Sequence, residues 1–258
     1  MLIKSISVVT LVLTLSFIAE KFSPKISGIL SGLPVGSSIT LIFFAIENGV
    51  DYVTNVALYN IHGLFAALSF CIGYYISTFY KGKLEITLSI MTSFIFYLAI
   101  ALILSYVPPH IVLTPLIVII LMLIASIYFA KKENFPIVKQ DKASISDLVF
   151  RSVLTIGIFL IVSSLPKFVP ANLAGIFSAF PTVLFPLLLI IHFRHSNLQA
   201  RTIIKNTPFG LSSVVIYSLI VYFTYEPYGI LYGTLIALAA SILYVVIQSK
   251  ILKFFNLV

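Results

Sequence analysis

The chain has 258 residues, of which 60% are hydrophobic and only 9% are charged, and its formal net charge is +8. Soluble domains carry about 25% charged residues, so this composition excludes an ordinary soluble protein. Apolar runs of about 20 residues recur along the chain with no long polar segment between them, which predicts one integral membrane unit. The only cysteine, Cys71, cannot form an intrachain disulfide.

Hydropathy, with charged residues, Gly and Pro as boundaries, predicts an all-α polytopic membrane protein with about nine transmembrane helices. The first apolar run follows Lys4 in the manner of a signal peptide, but Glu20 and Lys21 come next without a convincing cleavage site, so we interpret it as a span. The predicted helices cover residues 3 to 20, 26 to 46, 58 to 79, 86 to 106, 111 to 130, 147 to 165, 171 to 193, 207 to 224 and 228 to 249.

With nine spans, the basic residues separate between the two sides of the membrane. Fourteen of the 16 Lys and Arg residues fall on one side, and only Lys4 and Lys167 fall on the other. The positive-inside rule then places the N-terminus outside and the C-terminus in the cytoplasm. We attribute the basic excess to this topology and to anionic lipid headgroups, and not to nucleic-acid binding.

A motif near the start of the chain returns in its second half. KFSPKISGILSGLPVG (21 to 36) reappears as KFVPANLAGIFSAFPTV (167 to 183), at an offset of 146 to 147 residues. Further on, NIHGL (60 to 64) corresponds to NTPFGL (206 to 211). Two copies of a four-helix unit explain these matches most simply.

The fifth predicted helix lies between the two copies and determines their relative orientation. Because equivalent helices are five places apart in helix order, an odd offset, the second copy is predicted to lie upside down relative to the first. The expected organisation is a 4+1+4 inverted repeat. It comprises a first repeat (1–106), a linking helix with a cytoplasmic loop (107–143) and a second, inverted repeat (144–258).

The segment AGIFSAFPTVLFPLLLIIHF (174 to 193) resembles the signature of the GlpM-like family of small four-helix membrane proteins. In that family a similar A-G-x-x-x-x-F-P-T segment opens an apolar helix that ends near a His. SGILSGLPVGSSITLIFFAIENG (27 to 49) is similar to the same region. The resemblance implies a fused, inverted pair of such units, although Val35 replaces the Thr of the motif and Ala45 stands at the position of His192.

The doubled motif is rich in small residues and proline, which makes both helices easy to approach and easy to break. Broken hydrophobic helices at corresponding positions of inverted halves indicate a transporter's central binding site. The alternative is close packing, because small residues let membrane helices approach without any ligand. The candidate substrate-binding residues are Ser31, Gly32, Pro34, Ser37, Ser38, Ser178, Pro181 and Thr182.

Ionisable residues are scarce within the predicted spans, and none is a carboxylate at a helix centre. His62 and Glu47, near helix ends, are the candidates for ion coupling. The sequence lacks an HExxH motif, a G-x-S-x-G elbow and an Asp inside a span. We therefore predict no catalytic residues, no metal and no cofactor.

These features favour a secondary transporter or exporter in the cell membrane. It would move a small neutral, amphipathic or anionic solute by alternating access around the two broken helices. The alternative is a non-transporting membrane component that assists or regulates envelope or polysaccharide assembly. The expected partners are the lipid bilayer, a small-molecule substrate and a second copy of the chain, and not nucleic acid.

Overall fold

A computed structural model describes residues 24–135 and 145–254, and all regular structure within them is helical. The predicted span at residues 3 to 20 lies outside the described residues. A short 3-10 helix (Leu165–Lys167) directly follows the α-helix that ends at Ser164. The α-helices are α1 (Pro24–Ser31), α2 (Val35–Asn48), α3 (Val50–Ser77), α4 (Glu85–Ser105), α5 (Leu113–Ala130), α6 (Ile145–Ser164), α7 (Ala171–Ser178), α8 (Leu184–Arg194) and α9 (Asn197–Phe254).

Six helical stretches in the described part of the chain are long and apolar enough to cross a membrane. A membrane span must satisfy its backbone polar groups internally, which is why these apolar runs form helices. Two of the predicted spans are interrupted, since 26 to 46 divides into α1 and α2, and 171 to 193 divides into α7 and α8. Two others, 207 to 224 and 228 to 249, lie within α9.

α9 is a helical hairpin and not one straight helix. Gly229 has φ 73° and ψ 173°, a backbone conformation that glycine adopts readily, and it follows Pro227 closely. Ser212 Oγ donates a hydrogen bond to Gln248 Oε1 at 3.0 Å. These two residues, 36 positions apart, would be about 54 Å apart along a continuous helix. The chain therefore folds back at Gly229 into two antiparallel arms.

α3 lies at the centre of the molecule. It packs against α4, α7 and the first arm of α9. In its most apolar stretch 72% of the residues are buried, against 22% in α4. The remaining apolar surface of α4 is available to lipid, because bilayer hydrocarbon is as apolar as the side chains themselves. The two interrupted helices also contact these long helices. α7 packs against α3, and α1 packs against the first arm of α9.

Candidate functional site at the two helix breaks

The two helix breaks have the same backbone structure. Each has a 2.7 Å hydrogen bond from the residue after the proline to the carbonyl of the residue before it, and a second bond to the proline carbonyl from the residue four positions later. Equivalent bonds are 147 positions apart in the sequence. The four bonds run from Val35 N to Leu33 O, from Thr182 N to Phe180 O, from Ser38 N to Pro34 O and from Phe185 N to Pro181 O.

The two breaks touch each other. Ser37 Oγ, in the first turn of α2, lies 3.4 Å from the carbonyl oxygen of Ser178 at the end of α7 and donates to it. Gly36 faces Thr182, and a Cβ added to this glycine would lie 2.4 Å from Thr182 Oγ1. A side chain at position 36 would require Thr182 or the start of α2 to shift, so Gly36 permits the close contact between the breaks.

The other predicted site residues also lie at the breaks, although two of the serines serve their own helices. Ser31 Oγ donates to Gly28 O, and Ser38 Oγ donates to Val35 O, each at 2.9 Å. Such bonds satisfy carbonyls within a turn and leave the hydroxyl less available to a ligand. The buried members of the predicted set are Gly32, Pro34, Ser37, Ser38, Ser178, Pro181 and Thr182.

A buried polar network next to the second break was not predicted from the sequence. Asn60 of α3 is fully buried, and its Nδ2 donates to Ser178 Oγ at 2.6 Å. Ser218 Oγ, on the first arm of α9, donates to Asn60 Oδ1 at 2.7 Å. Ser178 Oγ in turn donates to the carbonyl of Gly175 at 2.6 Å. The network joins three helices around the break.

Glycines bring the broken helices against the long ones at two equivalent places. A Cβ on Gly63 of α3 would lie 2.2 Å from the carbonyl oxygen of Ile176 in α7. A Cβ on Gly210 of α9 would lie 2.1 Å from the carbonyl oxygen of Ile29 in α1. Both pairs correspond at an offset of 147 residues, so each broken helix packs against a long helix from the other half of the chain.

A second polar cluster lies where α8 ends and α4 begins. His192 Nε2 is 3.2 Å from Glu85 Oε1, and His192 Nδ1 is 3.0 Å from the hydroxyl of the buried Tyr74. Glu85 and His192 line a cavity of about 280 Å³, together with Lys83 and Asn197. Sequence patterns did not predict that Glu85 and His192 form a pair, because the two residues are 107 positions apart and no spacing rule links them.

The residues predicted to couple an ion lie in different environments. Glu47 is exposed at the end of α2. His62 is buried in α3 with its Nε2 3.4 Å from Thr114 Oγ1, and its Nδ1 has no hydrogen-bond partner among the described residues. Within the described residues, no group of three His, Cys, Asp or Glu side chains could hold a metal ion.

The fold and these sites define a class, a helical membrane protein with several spans. Comparison with protein-family models, with curated proteins and with solved structures finds no match to this chain. The GlpM-like resemblance therefore stays a prediction.

Proposed function

We propose that this protein is a secondary transporter or exporter built as a 4+1+4 inverted repeat, with its N-terminus outside and its C-terminus in the cytoplasm. The substrate is a small neutral, amphipathic or anionic solute, bound between the two broken helices. The single observation that carries the proposal is the matched pair of breaks, with equivalent hydrogen bonds at equivalent positions and in mutual contact. Transporters with inverted repeats place discontinuous helices of this kind at their central site.

The chemistry at the breaks favours the proposed substrate classes. α2 and α8 both begin at a break, so the partial positive charge of each helix N-terminus lies beside the contact between Gly36 and Thr182. The Thr182 hydroxyl lies at this contact, and the Ser37 hydroxyl, in the next residue after Gly36, donates to the carbonyl of Ser178. Such a surface offers donors to a neutral or anionic group and no full charge to a cation.

The Glu85–His192 contact gives the proposed mechanism a gate. Glu85 belongs to the first half and His192 to the second, and both line the same cavity. A rocking motion that opened this end would have to break their bond. The cavity of about 280 Å³ would then be the cytoplasmic entrance of a path toward the breaks.

The alternative function, a membrane component in which the motifs only pack helices, has one observation in its favour. Pro34 and Pro181 are both buried, and Gly36 is in close contact with Thr182. Closed breaks are expected in an occluded transporter and in a purely packed structure alike. Accessibility of the breaks to water therefore distinguishes the two functions.

The experiment is cysteine labelling. Single cysteines at positions 31 to 37 and 178 to 185, in a Cys71→Ala background, are treated in oriented vesicles with a membrane-impermeant thiol reagent. A transporter is expected to show labelling of both stretches that depends on the side of addition. Uniform protection in folded protein would contradict transport and favour helix packing.

The gate is tested in the same vesicles with Glu85→Gln. Weakening the bond to His192 is expected to increase labelling of positions 178 to 185 from the side on which Glu85 lies. Glu226→Gln is the matched control, because Glu226 is exposed. If positions 178 to 185 are labelled in the parent protein and to the same extent in both variants, the result contradicts the proposed gate but not the transport proposal.

A further inference from the structure

A cavity of about 250 Å³ lies at one end of the molecule, apart from the helix breaks. Its walls come from the end of α3, the segment after α5 and the first turns of α9. Three of its side chains are basic and one is a carboxylate, so the cavity has an excess of positive charge. The lining residues are Tyr75, Phe79, Lys132, Glu133, Phe135, Arg201 and Lys205.

Arg201 is held in place by the end of α3. Its guanidinium lies over the ring of Phe79, 3.8 Å from the ring centroid. Its Nε donates to Thr78 Oγ1 at 2.8 Å, and Nη2 donates to the carbonyl of Thr78. These bonds use two of the five N–H donors of arginine and fix the plane of the group. A fixed, planar guanidinium is well suited to bind a phosphate or carboxylate in a defined orientation.

The two lysines belong to different elements that line the cavity, α9 and the segment after α5. Lys205 lies one helical turn after Arg201 on α9, is 4% exposed and donates to the carbonyl of Lys132. The segment that carries Lys132 is tied to α9 by a 2.9 Å hydrogen bond from Phe135 N to Thr202 Oγ1. These two bonds hold the segment after α5 against the first turns of α9, and so they define the relative position of two walls of the cavity.

Exposed apolar side chains adjoin the basic cavity. Tyr128 of α5 is 57% exposed, and its ring centroid is 5.2 Å from Lys132 Nζ. Ile76 of α3, next to Tyr75, is 53% exposed. A ligand with a charged head and apolar chains would contact both surfaces at once. The predicted spans 58 to 79 and 111 to 130 end at this level, which is the depth of lipid headgroups.

We propose that the cavity around Arg201, Lys205 and Lys132 is a binding site for a phosphate group, supplied by an anionic phospholipid whose acyl chains lie against α3 and α5. Basic pockets between transmembrane helices bind phospholipid headgroups in this way. The volume of about 250 Å³ is below the roughly 300 to 1,000 Å³ of sites for drug-sized ligands. It therefore suits a headgroup. This site does not depend on the transport proposal.

The test measures lipid binding to the purified, delipidated full chain in detergent. Native mass spectrometry and thermal unfolding are recorded with phosphatidylglycerol, with phosphatidylcholine and with inorganic phosphate. We expect selective binding of phosphatidylglycerol, and about tenfold weaker binding in Arg201→Gln, because a charge-assisted hydrogen bond is lost. Lys132→Gln, at an exposed position, should also weaken binding without disturbing the packing.

Lys250→Gln is the control, because it removes one exposed charge outside the cavity and should leave the affinity unchanged. If inorganic phosphate stabilises the parent protein and displaces phosphatidylglycerol at low concentration, but has no effect on Arg201→Gln, the same site takes a soluble phosphate compound. Equal affinity for phosphatidylglycerol in the parent protein, Arg201→Gln and Lys132→Gln would overturn the proposal.

Discussion

Asn60 is a fully buried polar residue that contacts the second break. Its side-chain amide accepts from Ser218 and donates to Ser178, so it connects α9 with α7 through α3. A buried amide costs free energy unless its donors and acceptors are paired, and here both groups are. The network consequently specifies one relative position of the three helices.

Asn60→Ala is expected to destabilise the fold. It leaves the Ser218 hydroxyl without its acceptor and removes the donor to Ser178, at a cost of about 1–3 kcal/mol. The measurement is thermal unfolding of the purified protein in detergent. Asn55→Ala is the matched control, because Asn55 lies on the same helix, is exposed, and its side chain donates within that helix to Asp51 O. Equal melting temperatures for the two variants would contradict the proposed role of the network.

At the scale of elements, the structure of the interrupted helices α1–α2 and α7–α8 depends on small residues as well as on proline. Pro34 and Pro181 lack the N–H that would continue each helix. Gly63 and Gly210 then allow the first part of each broken helix to lie directly on a long helix. Close backbone approach of this kind is a common way for membrane helices to associate, since apolar burial alone gives no driving force in lipid.

Gly36→Ala is expected to push the two breaks apart. Its new Cβ would lie 2.4 Å from Thr182 Oγ1, a distance that requires Thr182 or the start of α2 to shift. We expect stronger labelling of a cysteine at position 178 by the impermeant reagent, with normal membrane insertion. Gly157→Ala on α6 is the control, because a Cβ there meets nothing within 4 Å among the described atoms. Identical labelling in the two variants would show that the contact does not keep the breaks closed.

At the scale of the whole molecule, the proposed inversion places the two halves in opposite orientations around shared contacts. Each broken helix packs against a long helix from the other half. This is expected if an approximate two-fold axis in the membrane plane relates α1 to α7. The Glu85–His192 bond has no counterpart in this relation, because Ala45 is at the position equivalent to His192. The two ends of the molecule therefore differ chemically at this pair of equivalent positions.

The topology is tested by single cysteines at exposed positions near opposite ends of the helices. In intact cells, an impermeant reagent is expected to label Asp51→Cys and Glu226→Cys but not Lys81→Cys or Lys131→Cys, all in the Cys71→Ala background. A membrane-permeant reagent, which should label all four, is the control. Labelling of one residue from each pair would disprove the nine-span orientation.

The sequence alone determined the class of protein and the position of its unusual segments. A composition of 60% hydrophobic residues predicts membrane helices, and the repeated motif locates both breaks, because hydropathy, Gly and Pro act through local backbone physics. Only the tertiary structure decided which polar groups meet. The groups that meet are distant in sequence: Asn60 bonds to Ser178 and Ser218, His192 contacts Glu85, and Arg201 lines one cavity with Lys132. Helix packing, which depends on the whole set of side chains, brings them together.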